Sequence, residues 1–257
     1  MEPSWRLWVD ETARPGWANM SIDMALLDRA EQQAESWFRL YRWDPGCLSF
    51  GRHEPASRRY DAERIRLLGI HAVRRPTGGR AVWHQSELTY AVACPCSRFP
   101  SLRDAYLEIH RLLAEALLSV GIEAALAPRS RTPSLDAGAC FSRPAGGEVL
   151  VQGRKVIGSA QLRRGRALLQ HGSILLHDEQ HRVDDLVQGG SISSPAAPES
   201  PTPLAGLKPR DLAVAVTESA STRWAGVHAC PTEPSRVLDR ATVHYPQFRS
   251  SAWTWAR

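Results

Sequence analysis

The stretch Gly153-Arg154-Lys155-Val156-Ile157-Gly158-Ser159-Ala160-Gln161 decides the fold. It opens with a glycine turn and continues into residues that are typical of a strand, which we predict over Lys155–Leu162. Strand-like runs flank it at Glu148–Gln152 and Ala167–Leu176, each separated from it by one tight turn that contains glycine. The centre of the chain is therefore predicted to be three strands joined by tight turns.

Grouped strands and helices continue on both sides of this stretch. Further strands are predicted at Trp5–Val9, Cys47–Gly51, His71–Arg75, Ala81–His84 and Leu88–Ala93. Helices are predicted after Asn19 as N-cap, at Tyr60–Leu68, at Leu102–Val120 and at Leu212–Arg223. The aromatic residues 245–255 are expected to pack back onto the body. Strands in groups with helices between the groups favour an α+β fold, with mixed or antiparallel sheets flanked by helices, over a doubly wound parallel sheet.

Length and composition are those of a soluble globular protein. We predict that the 257 residues form a single catalytic domain, 1–257, with a mobile loop at the Ser- and Pro-rich segment 193–203. No signal peptide and no apolar run of about 18 residues is found, so no membrane partner is expected. The five cysteines are scattered and odd in number, which favours a reducing, cytoplasmic location.

The basic residues are informative through their type. The formal net charge is +5, but the arginines are spread along the chain without a basic run, so nucleic acid is not an expected partner. Only two of the 32 basic residues are lysine, Lys155 and Lys208. Arginine stays protonated and cannot replace a lysine whose compact amine must reach one atom. Lys155, at the start of a predicted strand, is therefore a candidate site residue.

A second candidate segment runs from Arg74 to His84, in the order Arg-Arg-Pro-Thr-Gly-Gly-Arg-Ala-Val-Trp-His. Two adjacent glycines let the backbone approach a ligand closely and offer its amides to an anion or a carbonyl oxygen. The arginines on both sides could clamp a phosphate or a carboxylate. An ordinary hairpin explains the same residues, and from this segment alone both interpretations stay open.

Two further side chains carry possible chemistry. Cys140, in Gly138-Ala139-Cys140-Phe141, would be a nucleophile if a neighbouring cation favoured its thiolate, and is otherwise an inert packing residue. His171, beside Gly172 and Ser173, either lines a site or is a core histidine with both nitrogens satisfied. Cys94 and Cys96 lack a second ligand pair at zinc spacing, so no metal site is predicted.

Taken together and in this order, four segments resemble the lipoate–protein ligase and octanoyltransferase superfamily, which shares its catalytic fold with biotin–protein ligases. They are Asn19–Leu27 with its Asn-Met-x-x-Asp-x-Ala-Leu-Leu pattern, Arg74–His84, Gly153–Gln161 and His171-Gly172-Ser173. The resemblance covers roughly residues 5–176. It implies a catalytic domain of the biotin/lipoate ligase type.

The branch of the superfamily is indicated by the glycine segment. Ligases typically carry Arg-Arg-x-Ser-Gly-Gly-Gly-Ala-Val, whereas Arg-Arg-Pro-Thr-Gly-Gly-Arg-Ala-Val is more similar to the transferases that take octanoate from acyl carrier protein. Those transferases also carry a cysteine in an Ala-Cys-Phe-like loop, as at Cys140. Gln85 departs from the family, which usually has aspartate after the histidine.

The resemblance implies the following assignments. Cys140 and Lys155 form the catalytic pair, and no metal and no resident cofactor is needed, because the octanoyl-phosphopantetheine of acyl carrier protein is the donor. The acceptor is a lysine of the glycine-cleavage H protein or of a lipoyl domain of a 2-oxoacid dehydrogenase. The implied substrate-binding residues are Arg75, Thr77, Gly78, Gly79, Arg80, Ala81, Val82, His84, Gly158, Ser159, Ala160, His171 and Gly172.

The sequence leaves three alternatives open. In an ATP-dependent lipoate–protein ligase, Lys155 and the arginine loop would hold the phosphate of an acyl-adenylate, Mg-ATP would be required, and Cys140 would be incidental. A lipoyl amidotransferase would also use a cysteine but would take its acyl group from another lipoyl carrier. A non-catalytic relative would bind octanoate or lipoate without forming a covalent adduct.

Overall fold

Two β-sheets of unequal size organise the residues that the computed structural model describes, 4–128, 146–189 and 202–256. The strands are β1 (Trp5–Val9), β2 (Ser36–Tyr41), β3 (Cys47–Phe50), β4 (His71–Arg74), β5 (Val82–His84), β6 (Glu87–Pro95), β7 (Ala125–Leu126), β8 (Val149–Val151), β9 (Arg154–Arg164), β10 (Ala167–Leu175) and β11 (Val227–Ala229). The large sheet has the order β11-β1-β2-β6-β10-β9-β8-β7, and the small sheet has the order β4-β3-β5.

Helices pack on both faces of the large sheet and against the small sheet. They are α1 (Gly16–Gln33), α2 (Ala56–Arg59), α3 (Ala62–Leu67), α4 (Leu102–Ser119), α5 (Pro209–Arg223), α6 (Ser235–Ala241), α7 (Tyr245–Phe248) and α8 (Ser251–Thr254). Strand β6 shows how the sheet is shared between them, since Leu88, Tyr90 and Val92 pack with α4 and α5. The alternate residues Ala91 and Ala93 pack with α1 and α6. The period of two along a strand thus builds two separate cores.

The small sheet packs its own core with α2 and α3, formed by Leu48, Phe50, Ile65 and other apolar residues. Its central strand β3 pairs with β4 in parallel and with β5 antiparallel. The connection between β4 and β5 is the predicted glycine segment. A Cβ on Gly51 would lie 1.8 Å from the carbonyl oxygen of Gly79, so only glycine permits this approach of the turn to the end of β3.

The predicted α+β class is confirmed, as are most of its elements. The three central strands lie within two residues of their predicted ends. Helix α4 is confirmed, and the Ser101 side chain caps it by accepting a hydrogen bond from the Asp104 amide at 3.1 Å. The aromatic C-terminal segment does pack back, with Trp255 against Phe50 at a ring-centroid distance of 5.2 Å.

The prediction that Asn19 caps the first helix is wrong. Helix α1 begins four residues earlier, after Pro15, and Asn19 is fully buried inside it. The Asn19 amide donates instead to the carbonyl oxygens of Arg14 and Arg42, at 3.1 and 3.2 Å. Tertiary contacts therefore use a residue whose local preference is for a helix end.

The helix predicted over Tyr60–Leu68 is confirmed as α3 (Ala62–Leu67). It begins two residues later than predicted, because Tyr60 takes an extended conformation and forms a β-bridge with Val187. Asp61 then caps α3 by accepting from the Arg64 amide at 2.9 Å. The single domain stays a prediction, as does the mobile loop at 193–203, whose residues up to 201 lie outside the described residues.

Candidate functional site

A cavity of about 40 Å³ lies between the α1 face of the large sheet and the glycine turn of the small one. Nine of the thirteen predicted binding residues line it: Arg75, Gly79, Val82, His84, Gly158, Ser159, Ala160, His171 and Gly172. The structure thus brings three distant segments of the sequence around one space.

The other four predicted residues belong to the turn but do not line the cavity. Thr77 stands behind the wall, where its hydroxyl lies 2.6 Å from Nε2 of His171. Arg80 and Ala81 are buried, and Gly78 accepts a hydrogen bond from Arg75 at 3.3 Å. Their position supports the turn, and a direct contact with a ligand stays a prediction for them.

Five lining residues were missed from the sequence: Met20, Tyr41, Trp43, Thr89 and Ser173. Met20 lies in the Asn19–Leu27 segment, which was recognised only as a family pattern. Ser173 directly follows His171-Gly172, and because side chains alternate along a strand it lies on the same face as His171. Met20 and Trp43 supply apolar surface to the cavity. Neither residue differs in sequence from an ordinary core residue.

The two arginines before the turn are committed to backbone carbonyl groups. Arg75 donates to the oxygens of Ser49 and Arg80, at 2.9 and 2.8 Å. Arg74 is 1% exposed and donates to five carbonyl oxygens, in the segment after β3 and in the C-terminal segment, namely Gly51, Arg52, Glu54, Trp253 and Ala256. Arg75 therefore holds the turn in shape, and Arg74 connects the segment after β3 to the C-terminal segment.

His171 connects the cavity wall to a buried charge network on α1. Its Nδ1 lies 2.9 Å from Oδ2 of Asp23, whose carboxylate also accepts from Tyr41 at 3.0 Å and from Arg39 at 3.2 Å. An ionised carboxylate can only accept, so Nδ1 of His171 donates to Asp23, while Nε2 lies 2.6 Å from the Thr77 hydroxyl. Burial, followed by the Asp23 charge, raises the pKa of Tyr41 well above its usual range, so Tyr41 remains a donor.

His84 forms a second part of the wall and has both ring nitrogens occupied. Nδ1 lies 2.7 Å from Oε1 of Glu87, and Nε2 lies 2.5 Å from the hydroxyl of Ser49. Burial lowers the pKa of His84, which favours the neutral ring. The ring stacks on Trp43 at 4.0 Å and 12°. Its face rather than its nitrogens is offered to the cavity.

A β-bulge turns Lys155 toward the cavity face of the sheet. Lys155 pairs with Leu150, but the next pair is Ile157 with Val149, so β9 contains one extra residue at this point. Val149, Val151 and Ile157 belong to the core under α4, which places Leu150 and Lys155 on the opposite face, together with Gly158 and Ala160. Bulges of this kind re-aim side chains next to binding sites.

The amine of Lys155 is held by a buried carboxylate. Nζ lies 2.7 Å from Oε1 of Glu148, with the two side chains 2% and 6% exposed. Lys155 stands at the start of the strand that lines the cavity, and it is not itself a lining residue. Glu148 was not among the predicted site residues, since a single acid before a strand has no distinctive pattern.

On the α4 face of the large sheet, a continuous chain of hydrogen bonds runs through Ser159. His110 Nδ1 lies 2.6 Å from the Gly147 carbonyl oxygen and must donate to it, so Nε2 accepts from the Ser159 hydroxyl at 2.8 Å. Ser159 then accepts from Tyr90 at 2.6 Å, and Tyr90 accepts from Gln170 at 2.9 Å. Ser159 therefore borders the cavity while its hydroxyl serves the opposite face.

Cys140, the other half of the predicted catalytic pair, lies outside the described residues, between residues 128 and 146. In the part of the chain that is described, no group of three or more His, Cys, Asp or Glu residues could hold a metal ion. The described helices include none that is both long and apolar enough to span a bilayer.

Known proteins resemble the chain in sequence and in fold. Residues 15–207 match the family described as the lipoyl protein ligase A/B catalytic domain. Octanoyltransferase LipM of Carboxydothermus hydrogenoformans is 42% identical over 178 residues, which are 67% of this chain and 65% of that protein. Octanoyltransferase LipM of Symbiobacterium thermophilum is 40% identical over 183 residues, 68% of this chain and 66% of that protein. These alignments span just under two thirds of the relatives' own length.

The fold is also that of a solved lipoate protein ligase. The bipartite enzyme from Thermoplasma acidophilum superposes with a TM-score of 0.74 at 18% identity, covering 100% of this chain and 98% of that chain. At this level of identity the comparison confirms the catalytic fold predicted from the sequence.

Proposed function

The chain belongs to the lipoyl protein ligase A/B catalytic domain family, and on that premise we propose that it is an octanoyltransferase of lipoate biosynthesis. The observation that carries the proposal is the 42% identity to an octanoyltransferase over two thirds of the chain. The cavity supports it, because Met20, Trp43 and Val82 offer an acyl chain an apolar lining beside a buried lysine.

The proposed donor is the octanoyl thioester on the phosphopantetheine arm of acyl carrier protein. The Cys140 thiolate attacks the acyl carbonyl carbon, the new C–S bond forms, and the pantetheine sulfur leaves. A lysine of a lipoyl domain or of the glycine-cleavage H protein then attacks the octanoyl-Cys140 thioester. The C–N bond forms, and the Cys140 sulfur leaves with the proton of the amine. These two chemical steps need no resident cofactor. We assign the reaction to the cytoplasm.

Lys155 is proposed to donate hydrogen bonds to the acyl oxygen while negative charge develops on it. Loss of one such donor typically costs about 3–4 kcal/mol of transition-state stabilisation. The octanoyl chain is proposed to occupy the cavity, where each buried CH₂ contributes about 0.8 kcal/mol. His171, held by Asp23, orients Thr77 and with it the glycine turn.

The test is the intact mass of the protein after mixing with octanoyl-acyl carrier protein, without ATP and without an acceptor. We expect an octanoyl-sized gain that hydroxylamine removes and that is absent in Cys140→Ala. Cys96→Ala is the matched control, because Cys96 is partly exposed, follows the end of β6 and is not among the residues that line the cavity.

Three outcomes contradict the proposal. If no adduct forms but an acceptor is modified once ATP and lipoate are added, the chain is a ligase. An adduct that forms from octanoyl-H protein and not from octanoyl-acyl carrier protein makes it an amidotransferase. Binding of octanoate without any adduct or product would identify a non-catalytic relative.

A further inference from the structure

The buried pair of Lys155 and Glu148 has a chemical consequence for an enzyme that acylates lysine. The reaction proposed above joins an acyl thioester to a lysine amine, and Lys155 is itself a lysine on the strand that lines the acyl cavity. Because of the bulge in β9, Lys155 lies on the same face of the sheet as Gly158, which lines the cavity three residues further along the strand. Any neutral amine at this place could compete with the acceptor.

The competing reaction would be irreversible under ordinary conditions. A neutral Lys155 amine would attack the octanoyl carbonyl, a C–N bond would form, and the C–S bond of the thioester would break. The thiol would leave with the proton of the amine, and Lys155 would become an amide. An ammonium group has no lone pair and cannot react in this way, although it still donates hydrogen bonds.

We propose that Glu148 protects Lys155 from acylation by holding its side chain in the ammonium form, so that Lys155 assists the transfer without becoming its acceptor. The proposal rests on the proposed function. The 2.7 Å contact with Glu148 joins two side chains that are almost inaccessible to water. At such a site the attraction between opposite charges is much stronger than at the surface.

Two neighbouring groups in the described part of the chain bear on this pair. His110, on α4, lies near enough for the Lys155 charge to lower its pKa, and burial, the larger cause, brings that pKa to about 4, so this ring is neutral near pH 7. The guanidinium of Arg154 lies 3.4 Å from the carboxylate of Asp178. His110 also fixes Gly147, the residue before Glu148, by donating to its carbonyl oxygen at 2.6 Å.

The chain contains an internal control, because Lys208 is its only other lysine and is exposed. We would incubate wild type and Glu148→Gln with octanoyl-acyl carrier protein over many turnovers. Hydroxylamine would then remove thioesters, and peptide mass spectrometry would measure the octanoyl amide on each lysine. In Glu148→Gln we expect at least a tenfold increase at Lys155 relative to Lys208, together with progressive loss of activity. Glu148→Asp retains the carboxylate and should restore protection.

The outcomes separate this inference from the proposed function. If wild type forms no hydroxylamine-sensitive adduct, the proposed function has failed. If wild type forms it and folded Glu148→Gln acquires no amide at Lys155, the protective role of Glu148 is refuted. If Glu148→Gln does not fold, wild type alone still tests the proposal. An octanoyl amide that accumulates at Lys155 as fast as at Lys208 during turnover would overturn it.

Discussion

The two faces of the central strands β6, β10 and β9 are both rich in buried polar groups, and the cavity described above lies on the α1 face. The α4 face carries a continuous chain of hydrogen bonds through His110, Ser159, Tyr90 and Gln170. On the α1 face, the chain from Asp23 through His171 ends at Thr77, in the turn that closes the cavity. Adjacent residues of the same strand thus serve either the core or the site.

This difference separates stability from activity. Changes on the α4 face should weaken the fold and leave the activity of each folded molecule unchanged. Changes on the α1 face should lower both, because its hydrogen bonds also set the shape of the cavity. Three measurements test the comparison.

The largest effect is expected for Asp23→Asn. The carboxylate of Asp23 accepts from both Arg39 and Nδ1 of His171. The NH₂ group of the asparagine would face one of these two donors and could not accept from it. Breaking a buried ion pair on one side typically costs about 3–5 kcal/mol. Urea denaturation should show a loss of this order, and octanoyl transfer should fall in the remaining folded protein. Glu63→Gln, at an exposed ion pair with Arg66, is the control and should change neither.

An intermediate effect is expected from pH on the α4 face. The folded-state pKa of His110 is about 4, below its ordinary value of 6.5, because burial disfavours the charged ring. Since the unfolded chain binds the proton more readily, stability is fully present above pH 6.5 and is lost as the pH falls toward 4. The difference corresponds to roughly 3 kcal/mol at most.

Urea denaturation at several pH values measures this loss, and His110→Gln should flatten the curve between pH 6.5 and 4. Burial also lowers the pKa of His84, so part of the pH dependence of stability should remain in His110→Gln. A slope that is the same with and without His110 would contradict the assignment.

The smallest effect compares two tyrosines on opposite faces. Tyr90→Phe removes a hydroxyl that bridges Ser159 and Gln170, and should cost about 1 kcal/mol of unfolding free energy without changing the activity per folded molecule. Tyr41→Phe removes a donor to Asp23 and should cost a similar amount, but with reduced octanoyl transfer. Equal activities in the two variants would show that the α1 network does not shape the site.

The sequence by itself determined the strands, their turns and most of the residues around the cavity. Alternation and glycine positions are local properties, so the strands of residues 148–176 could be predicted almost to the residue. The ordered segments that resemble one family predicted a shared site for Arg75, Gly158 and His171, although these residues lie far apart in the chain. Lys155 was selected because lysine is rare in this chain.

Only the tertiary structure decided which partner each polar group takes. Asp23 meets His171 across 148 residues of sequence, and Arg74 donates to carbonyl oxygens both in the segment after β3 and in the C-terminal segment. The bulge at Lys155 is a misfit between two strands, so neither strand alone encodes the face on which the amine lies. Glu148 is an ordinary acid until that bulge brings the amine to it, because a buried pair is created by packing and not by spacing.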